Sequence, residues 1–127
     1  MKLHTRKLAI ALGLALPAMA FDAWAHGDAK PLHGGIVQVV SDMHYELVRQ
    51  PQGVALHVVD HGKPVDATRM GGKLTVLQGS QKSEAELKPA GGNKLEAANL
   101  TVASGARVVA TLRDAAGKTV TVRFSVK

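Results

Sequence analysis

From residue 36 onwards, apolar residues alternate with polar ones or form short apolar runs, and turns rich in glycine and proline separate these runs. In the last run, Val120, Val122, Phe124 and Val126 would share one face, with Thr, Arg and Ser side chains on the other. Such runs predict an all-β sandwich or barrel, although the fifth run, rich in Glu, Ala and Lys, also fits a helical turn. The predicted strands are Ile36–Val40, Met43–Arg49, Val54–Asp60, Lys73–Gln78, Ser83–Lys88, Lys94–Val102, Ala106–Arg113 and Thr119–Val126.

Residues 1–25 have the layout of a cleaved secretory signal peptide. A basic start with Lys2, Arg6 and Lys7 precedes the apolar run Leu8–Leu16, and small residues follow. The apolar run is too short to span a membrane comfortably. We therefore predict export to the periplasm, with no membrane span after signal cleavage.

Two positions suit that cleavage, and they leave different N-termini. A cut after Ala25 makes His26 the first residue, with its free amine and its ring nitrogen available as a chelating pair. A cut after Ala20 leaves His26 internal, with only its ring. Residues 26–35 are polar and rich in Gly and Pro, so we predict a flexible, histidine-containing arm ahead of a single β-sandwich domain at 36–127.

Composition excludes several classes of function. The chain has no cysteine, which removes thiolate metal sites, thiol redox chemistry and disulfides. Its net charge is +6, but the positive charges are scattered and aromatic residues make up 3% of the chain, so a nucleic-acid partner is not expected. We find no Ser/His/Asp or paired-carboxylate constellation, and predict that the protein is not an enzyme.

The histidines are distributed unevenly along the chain. Five of the six lie between positions 26 and 61, and residues 62–127 contain none. Imidazole is the commonest metal-binding side chain, so this clustering indicates a metal site. Histidine with carboxylate ligands suits copper or zinc, with nickel or cobalt as alternatives, and the general order of affinity favours Cu²⁺.

Strand alternation predicts which face carries these side chains. In the second predicted strand Tyr45 and Leu47 share one face, which leaves His44 and Glu46 on the other. In the third, an inward-facing Leu56 would turn the neighbouring histidine at position 57 outward. With a hairpin loop of even length, one outer face would carry His44, Glu46, His57 and His61. The arm with His26 and His33 would be able to fold over that face.

The hairpin turn leaves three registers open. A two-residue loop at Gln52-Gly53 would place His44 opposite His61, whereas one at Pro51-Gln52 would place Glu46 opposite His57. A three-residue loop would reverse the parity and put His57 on the core face. We follow the apolar pattern, because the reversed register would bury a histidine and expose leucine.

Two segments resemble known families. His33-Gly34-Gly35, followed after eight residues by His44-Tyr45-Glu46-Leu47, resembles a segment of the periplasmic adaptor subunits of cobalt–zinc–cadmium-type efflux systems. The segment from Val58 to Val65 and the terminal strands are similar to small exported immunoglobulin-like domains of the YtkA/FixH type. The first resemblance implies metal binding at His33, His44 and Glu46, and the second implies an immunoglobulin-like sandwich of seven to eight strands. The long coiled-coil hairpins and lipoyl-like domain of the adaptors are missing.

The sequence therefore predicts a periplasmic transition-metal-binding protein, a buffer or chaperone accessory to heavy-metal efflux or resistance. Its partners would be a metal ion and an efflux complex. The candidate ligands are His26, His33, His44, Glu46, His57 and His61. The alternative is a β-sandwich interaction module of the cell envelope whose histidines are incidental. The metal, its stoichiometry and the oligomeric state are left open by the sequence.

Overall fold

Nine strands and no helix make up residues 30–127, the part of the chain that the computed structural model describes. The prediction of an all-β domain is therefore confirmed. The predicted signal peptide, both cleavage positions and His26 lie outside the described residues. The strands are β1 (Ile36–Val40), β2 (Met43–Gln50), β3 (Gly53–Asp60), β4 (Lys63–Pro64), β5 (Gly71–Gln78), β6 (Gln81–Pro89), β7 (Lys94–Ala98), β8 (Arg107–Arg113) and β9 (Thr119–Ser125).

Besides shifts of one or two residues at several strand ends, three details differ from the predicted strands. The run rich in Glu, Ala and Lys is strand β6 and not a helical turn, because it pairs with β5 along most of its length. A short strand, β4, adds a ninth element beside β3. Strand β7 ends at Ala98 because Asn99 adopts a left-handed φ of 57°, which breaks the extended backbone.

All pairings are antiparallel, in the order β1-β2-β3-β7-β6-β5-β8-β9. Strand β6 joins the two halves of this order, because most of it pairs with β5 while Lys88 and Pro89 pair with β7. The terminal strands β1 and β9 also lie in contact, so the sheet nearly closes on itself. Strands β5, β6 and β7 are consecutive antiparallel neighbours, and β7 lies beside the earlier strand β3, so these four strands form a Greek key.

One apolar core fills the space between the two halves. Its largest fully buried side chains come from both: Leu47, Leu56 and Leu95 from β2, β3 and β7, and Leu74, Leu112 and Phe124 from β5, β8 and β9. With no cysteine in the chain, packing and the strand hydrogen bonds must hold the domain together. Within residues 30–127, no helix is long and apolar enough to cross a membrane.

The β2–β3 hairpin has one of the three predicted registers. Its loop is Pro51-Gln52, closed by the pair Gln50 and Gly53, and Glu46 lies directly opposite His57. His44 pairs with Val59 and not with His61, so the Gln52-Gly53 loop is wrong. The three-residue loop is wrong as well. The face predicted from the apolar pattern is confirmed, because a shift of the strand pairing by one residue would have removed Leu56 from the core.

Candidate functional site

The outer face of β1, β2, β3 and β7 carries the polar candidates. One cross-strand row contains Val37, Glu46, His57 and Lys94, and the neighbouring row contains His44 between two valines. Residues 30–35, which we call the N-terminal segment, lie across this face. Glu46 is therefore only 5% exposed although it points away from the core.

The carboxylate of Glu46 holds the N-terminal segment in place. Its Oε1 accepts hydrogen bonds from the Leu32 backbone N–H (3.1 Å) and from His33 Nδ1 (2.9 Å). Its Oε2 accepts from the backbone N–H groups of His33 (2.8 Å) and Gly35 (2.9 Å). A carboxylate has about four acceptor positions, so these donors saturate Glu46.

Those donors also decide the charge of Glu46. Burial on its own would raise the pKa of this carboxyl, because removal from water disfavours the ionised form. The hydrogen bond from the His33 ring and the three backbone N–H bonds outweigh burial, and the pKa lies below its ordinary value. Glu46 is thus an ionised carboxylate at neutral pH, enclosed by donors.

The two glycines after His33 let the segment approach β2. Gly34 has a φ of +71°, a left-handed conformation that glycine adopts without steric cost. At Gly35 a Cβ would lie 2.3 Å from the backbone oxygen of Leu47, so a side chain cannot fit there. The two glycines therefore allow the backbone after His33 to come close enough to β2 for the hydrogen bonds to Glu46.

The imidazole of His33 stacks on that of His57. The ring centroids lie 3.8 Å apart and the planes are inclined by 7°. Nδ1 of His57 is buried, and none of the described residues completes a hydrogen bond with it. Burial lowers the pKa of His57, and the proximity of His33 and Lys94 lowers it further, while Glu46 and Asn93 oppose this incompletely. The His57 ring is therefore neutral at neutral pH.

Beside the stacked rings is an open cleft of about 320 Å³. It brings His44 to the same space as Glu46 and His57, although His44 lies on the neighbouring row. The lining residues are Lys30, Leu32, Val37, His44, Glu46, His57, Val59 and Gly62. The cleft therefore combines imidazoles with aliphatic side chains that would shield a bound ligand from water.

His61 is not part of this cluster. It lies in the turn between β3 and β4 with a φ of 49°, its side chain is 75% exposed, and its ring contacts the carboxylate of Asp60. Three of the six candidates, His44, Glu46 and His57, thus line one cleft. His33 contacts Glu46 and His57 but borders a different pocket, and His61 lies apart from all of them. His26 lies outside the described residues.

Sequence reasoning missed part of this environment. Lys94 stands opposite His57 on β7, and the nearby Asn93 donates from its side chain to the backbone oxygen of Val58 (3.0 Å). No spacing rule could have found these residues, because β7 reaches β3 only through the Greek-key connection. The backbone donors of Leu32 and Gly35 were also missed, since backbone N–H groups leave no signature in a sequence.

The His33–Glu46 pair has a definite chemical consequence. When Nδ1–H donates to the carboxylate, the other ring nitrogen, Nε2, keeps a free lone pair for a metal ion. Glu46 itself is saturated, so its role in such a site would be to orient His33. Among residues 30–127, no group of three or more His, Cys, Asp or Glu side chains is arranged to hold a metal ion.

Comparison of the chain with models of protein families, with curated proteins and with solved structures finds no match. The cleft must therefore be interpreted from its own chemistry.

Proposed function

We propose that this protein binds one transition-metal ion, copper or zinc foremost and nickel or cobalt as alternatives, at the cleft beside His33. The observation that carries the proposal is the His33–Glu46 pair. A carboxylate that holds one imidazole nitrogen fixes the tautomer and the ring orientation, and it raises the basicity of the other nitrogen. Metal-binding histidines almost always have such a partner.

The ligands would come from the cleft and from the arm. His33 would supply Nε2, and His44 lines the cleft beside the ring of His57, on which His33 stacks. His26, the first residue of the predicted arm, would be the third imidazole. His57 could replace it only by leaving the stack, because lone pairs lie in the ring planes and two parallel rings cannot both point at an ion between them. Three imidazoles with a water or exogenous ligand suit Zn²⁺, and nitrogen ligands also suit Cu²⁺.

The biological role that fits is reversible capture in the periplasm, as a buffer or chaperone beside a heavy-metal efflux complex. Support comes from the predicted signal peptide and from the resemblance of the His-Gly-Gly and His-Tyr-Glu-Leu segments to efflux adaptors. The partial donor set of the described residues favours exchange over permanent storage, since closed four-ligand cages are typical of structural sites.

The decisive experiment is a metal titration of the naturally exported protein by native mass spectrometry. Cu(I), Cu(II), Zn, Ni and Co are offered separately, and the same spectra give the mature N-terminus. We expect one tightly held ion, lost in His33→Ala and weakened about 10–100-fold in Glu46→Gln, the range expected when a carboxylate that orients a ligand is removed. His61→Asn is the matched control, because asparagine tolerates the left-handed backbone at that turn.

Equal binding by the wild type and His33→Ala would refute the proposed site. The second candidate, a protein-interaction module of the cell envelope, would then be preferred. It is favoured by the exposure of Leu32 (74%) and Val39 (36%), two large apolar side chains on the face that the N-terminal segment crosses. Cross-linking of the exported protein in cells would then be used to find an envelope partner.

A further inference from the structure

A separate cavity of about 620 Å³ opens between the two halves of the domain. It lies where the β1–β2 turn, the end of β3 and the β8–β9 turn come together. It shares no lining residue with the cleft beside His33. Tyr45 and Glu46 are neighbours on β2 and point to opposite faces of the strand, so the two sites lie on opposite sides of the sheet.

The floor of this cavity is apolar. It is formed by Tyr45 (3% exposed) and Met70 (6% exposed), together with Met43, Val65 and Val120. Thioethers and an aromatic ring provide a polarizable surface that adapts to ligands of different shape. The volume is in the range of small-molecule sites, about 300–1,000 Å³.

The rim of the cavity carries an excess of negative charge. Asp60, Asp66 and Asp114 line it, against the single cation Lys118. Hydrogen bonding with Thr68 lowers the pKa of Asp66, which keeps this carboxyl ionised. Oδ1 of Asp114 accepts from two backbone N–H groups of the β8–β9 turn, at 3.0 and 2.8 Å, and is held in position by them.

Two of these carboxylates act on the cavity floor. The pKa of Tyr45 is raised first by burial and then by the negative charges of Asp114 and Asp60. A cation bound in the cavity would be attracted by the same two carboxylates. An anion would meet repulsion from the same groups.

We propose that this cavity binds a small amphiphilic cation, an organic amine whose apolar body lies on the Tyr45–Met70 floor and whose ammonium group faces Asp60 and Asp114. Two features of the cavity indicate this ligand, the negative charge of its rim and its apolar floor. The cavity is independent of the proposed metal site, because no histidine lines it. A transition-metal ion would make no contact that uses the apolar floor, and a neutral apolar molecule would gain nothing from the negative charge of the rim.

The test uses n-octylammonium, octanol and octanoate, which share one apolar body and differ in charge. Each is titrated below its aggregation limit into the metal-free exported protein, and binding is followed by NMR shifts of backbone amides. We expect saturable binding of octylammonium with shifts confined to the residues around Tyr45, Met70 and Ala116. Octanol should bind more weakly and octanoate most weakly.

A double variant, Asp60→Asn with Asp114→Asn, tests the rim. Asparagine keeps the acceptor oxygen that Asp114 needs in its turn, so the fold should persist. Affinity for octylammonium should fall about tenfold, at two- to fivefold for each partly exposed carboxylate. Glu84→Gln with Glu86→Gln, which removes two charges from the outside of β6, should change it less than twofold. Equal binding of the three probes, the absence of saturable octylammonium binding, or equal effects of the two double variants would overturn the proposal.

Discussion

At the scale of single residues, Glu46 links the fold to the candidate site. A buried carboxylate is costly unless donors replace the water that it loses. Here three backbone N–H groups and one imidazole replace it, and all of them come from the N-terminal segment. The same side chain therefore closes the segment over β2 and orients His33.

The variant Glu46→Gln tests this double role through stability. An amide places an NH₂ group against backbone donors and weakens the remaining charge-assisted bonds. We expect the free energy of unfolding to fall by about 2 kcal/mol, the scale of hydrogen bonds to a charged group. Urea denaturation at neutral pH measures it, and an unchanged m-value would show that the folded state stays compact.

A matched control for this substitution is available on β6. Glu86 is a surface carboxylate whose side chain is 72% exposed and lies 3.9 Å from the Lys88 ammonium. Glu86→Gln makes the same chemical change without removing a buried acceptor, and surface changes of this kind usually stay within about 0.5 kcal/mol. Equal losses in the two variants would mean that the hydrogen bonds to Glu46 contribute nothing special.

At the scale of elements, the N-terminal segment and β2 form one unit. Leu32, His33 and Gly35 are joined to β2 through the side chain of Glu46, whereas β1 joins β2 through a regular antiparallel ladder. The segment is therefore fixed by one residue, and its position depends on the close approach at Gly35.

Gly35→Ala should detach the segment. The added Cβ would meet Leu47 O at 2.3 Å and Val48 Cγ2 at 2.9 Å, and the backbone oxygen belongs to a paired strand that cannot yield easily. We expect a loss of about 1–3 kcal/mol, typical of overpacking. Hydrogen exchange at the amides of His33 and Gly35 should accelerate markedly.

The neighbouring glycine supplies the control. At Gly34 a Cβ would meet nothing within 4 Å, and the φ of +71° is one that asparagine tolerates. Gly34→Asn should therefore keep the segment in place and cost less than about 1 kcal/mol. If Gly34→Asn and Gly35→Ala accelerated exchange equally, the close approach to Leu47 would not be what positions the segment.

At the scale of the whole molecule, His57 and Glu46 make the free energy of unfolding depend on pH, each over its own pH range. The folded pKa values of His57 and Glu46 are both lowered, so the unfolded chain binds more protons at each group and stability falls on acidification. For His57 the loss starts near pH 6.5, where the unfolded imidazole protonates, and for Glu46 it starts near pH 4.3. Each loss is complete once the pH has passed below the folded pKa.

His57→Phe tests the upper window in metal-free protein. Phenylalanine keeps an aromatic ring beside His33 and removes the buried Nδ1, which has no partner among the described residues. Unfolding free energies measured between pH 8 and 5 should therefore fall less in this variant than in the wild type. An unchanged slope in His57→Phe would contradict the assignment.

The alternation of apolar and polar residues along the chain determined much of this protein's structure. It predicted the all-β class and the inward faces of β2 and β3, because only one choice of inward face buries both Leu47 and Leu56. It therefore also placed His44, Glu46 and His57 on one outer face. The metal they are predicted to bind remains a proposal, since imidazole chemistry alone does not select one.

Tertiary structure decided what those side chains do. The loop Pro51-Gln52 selected the pair Glu46 and His57 from several registers, and the Greek key brought Lys94 beside His57 from a distant strand. The N-terminal segment turned Glu46 from a candidate ligand into a saturated, buried acceptor. A sequence records which donors and acceptors exist, but their partners depend on the path of the backbone. That path is set by the packing of the whole core.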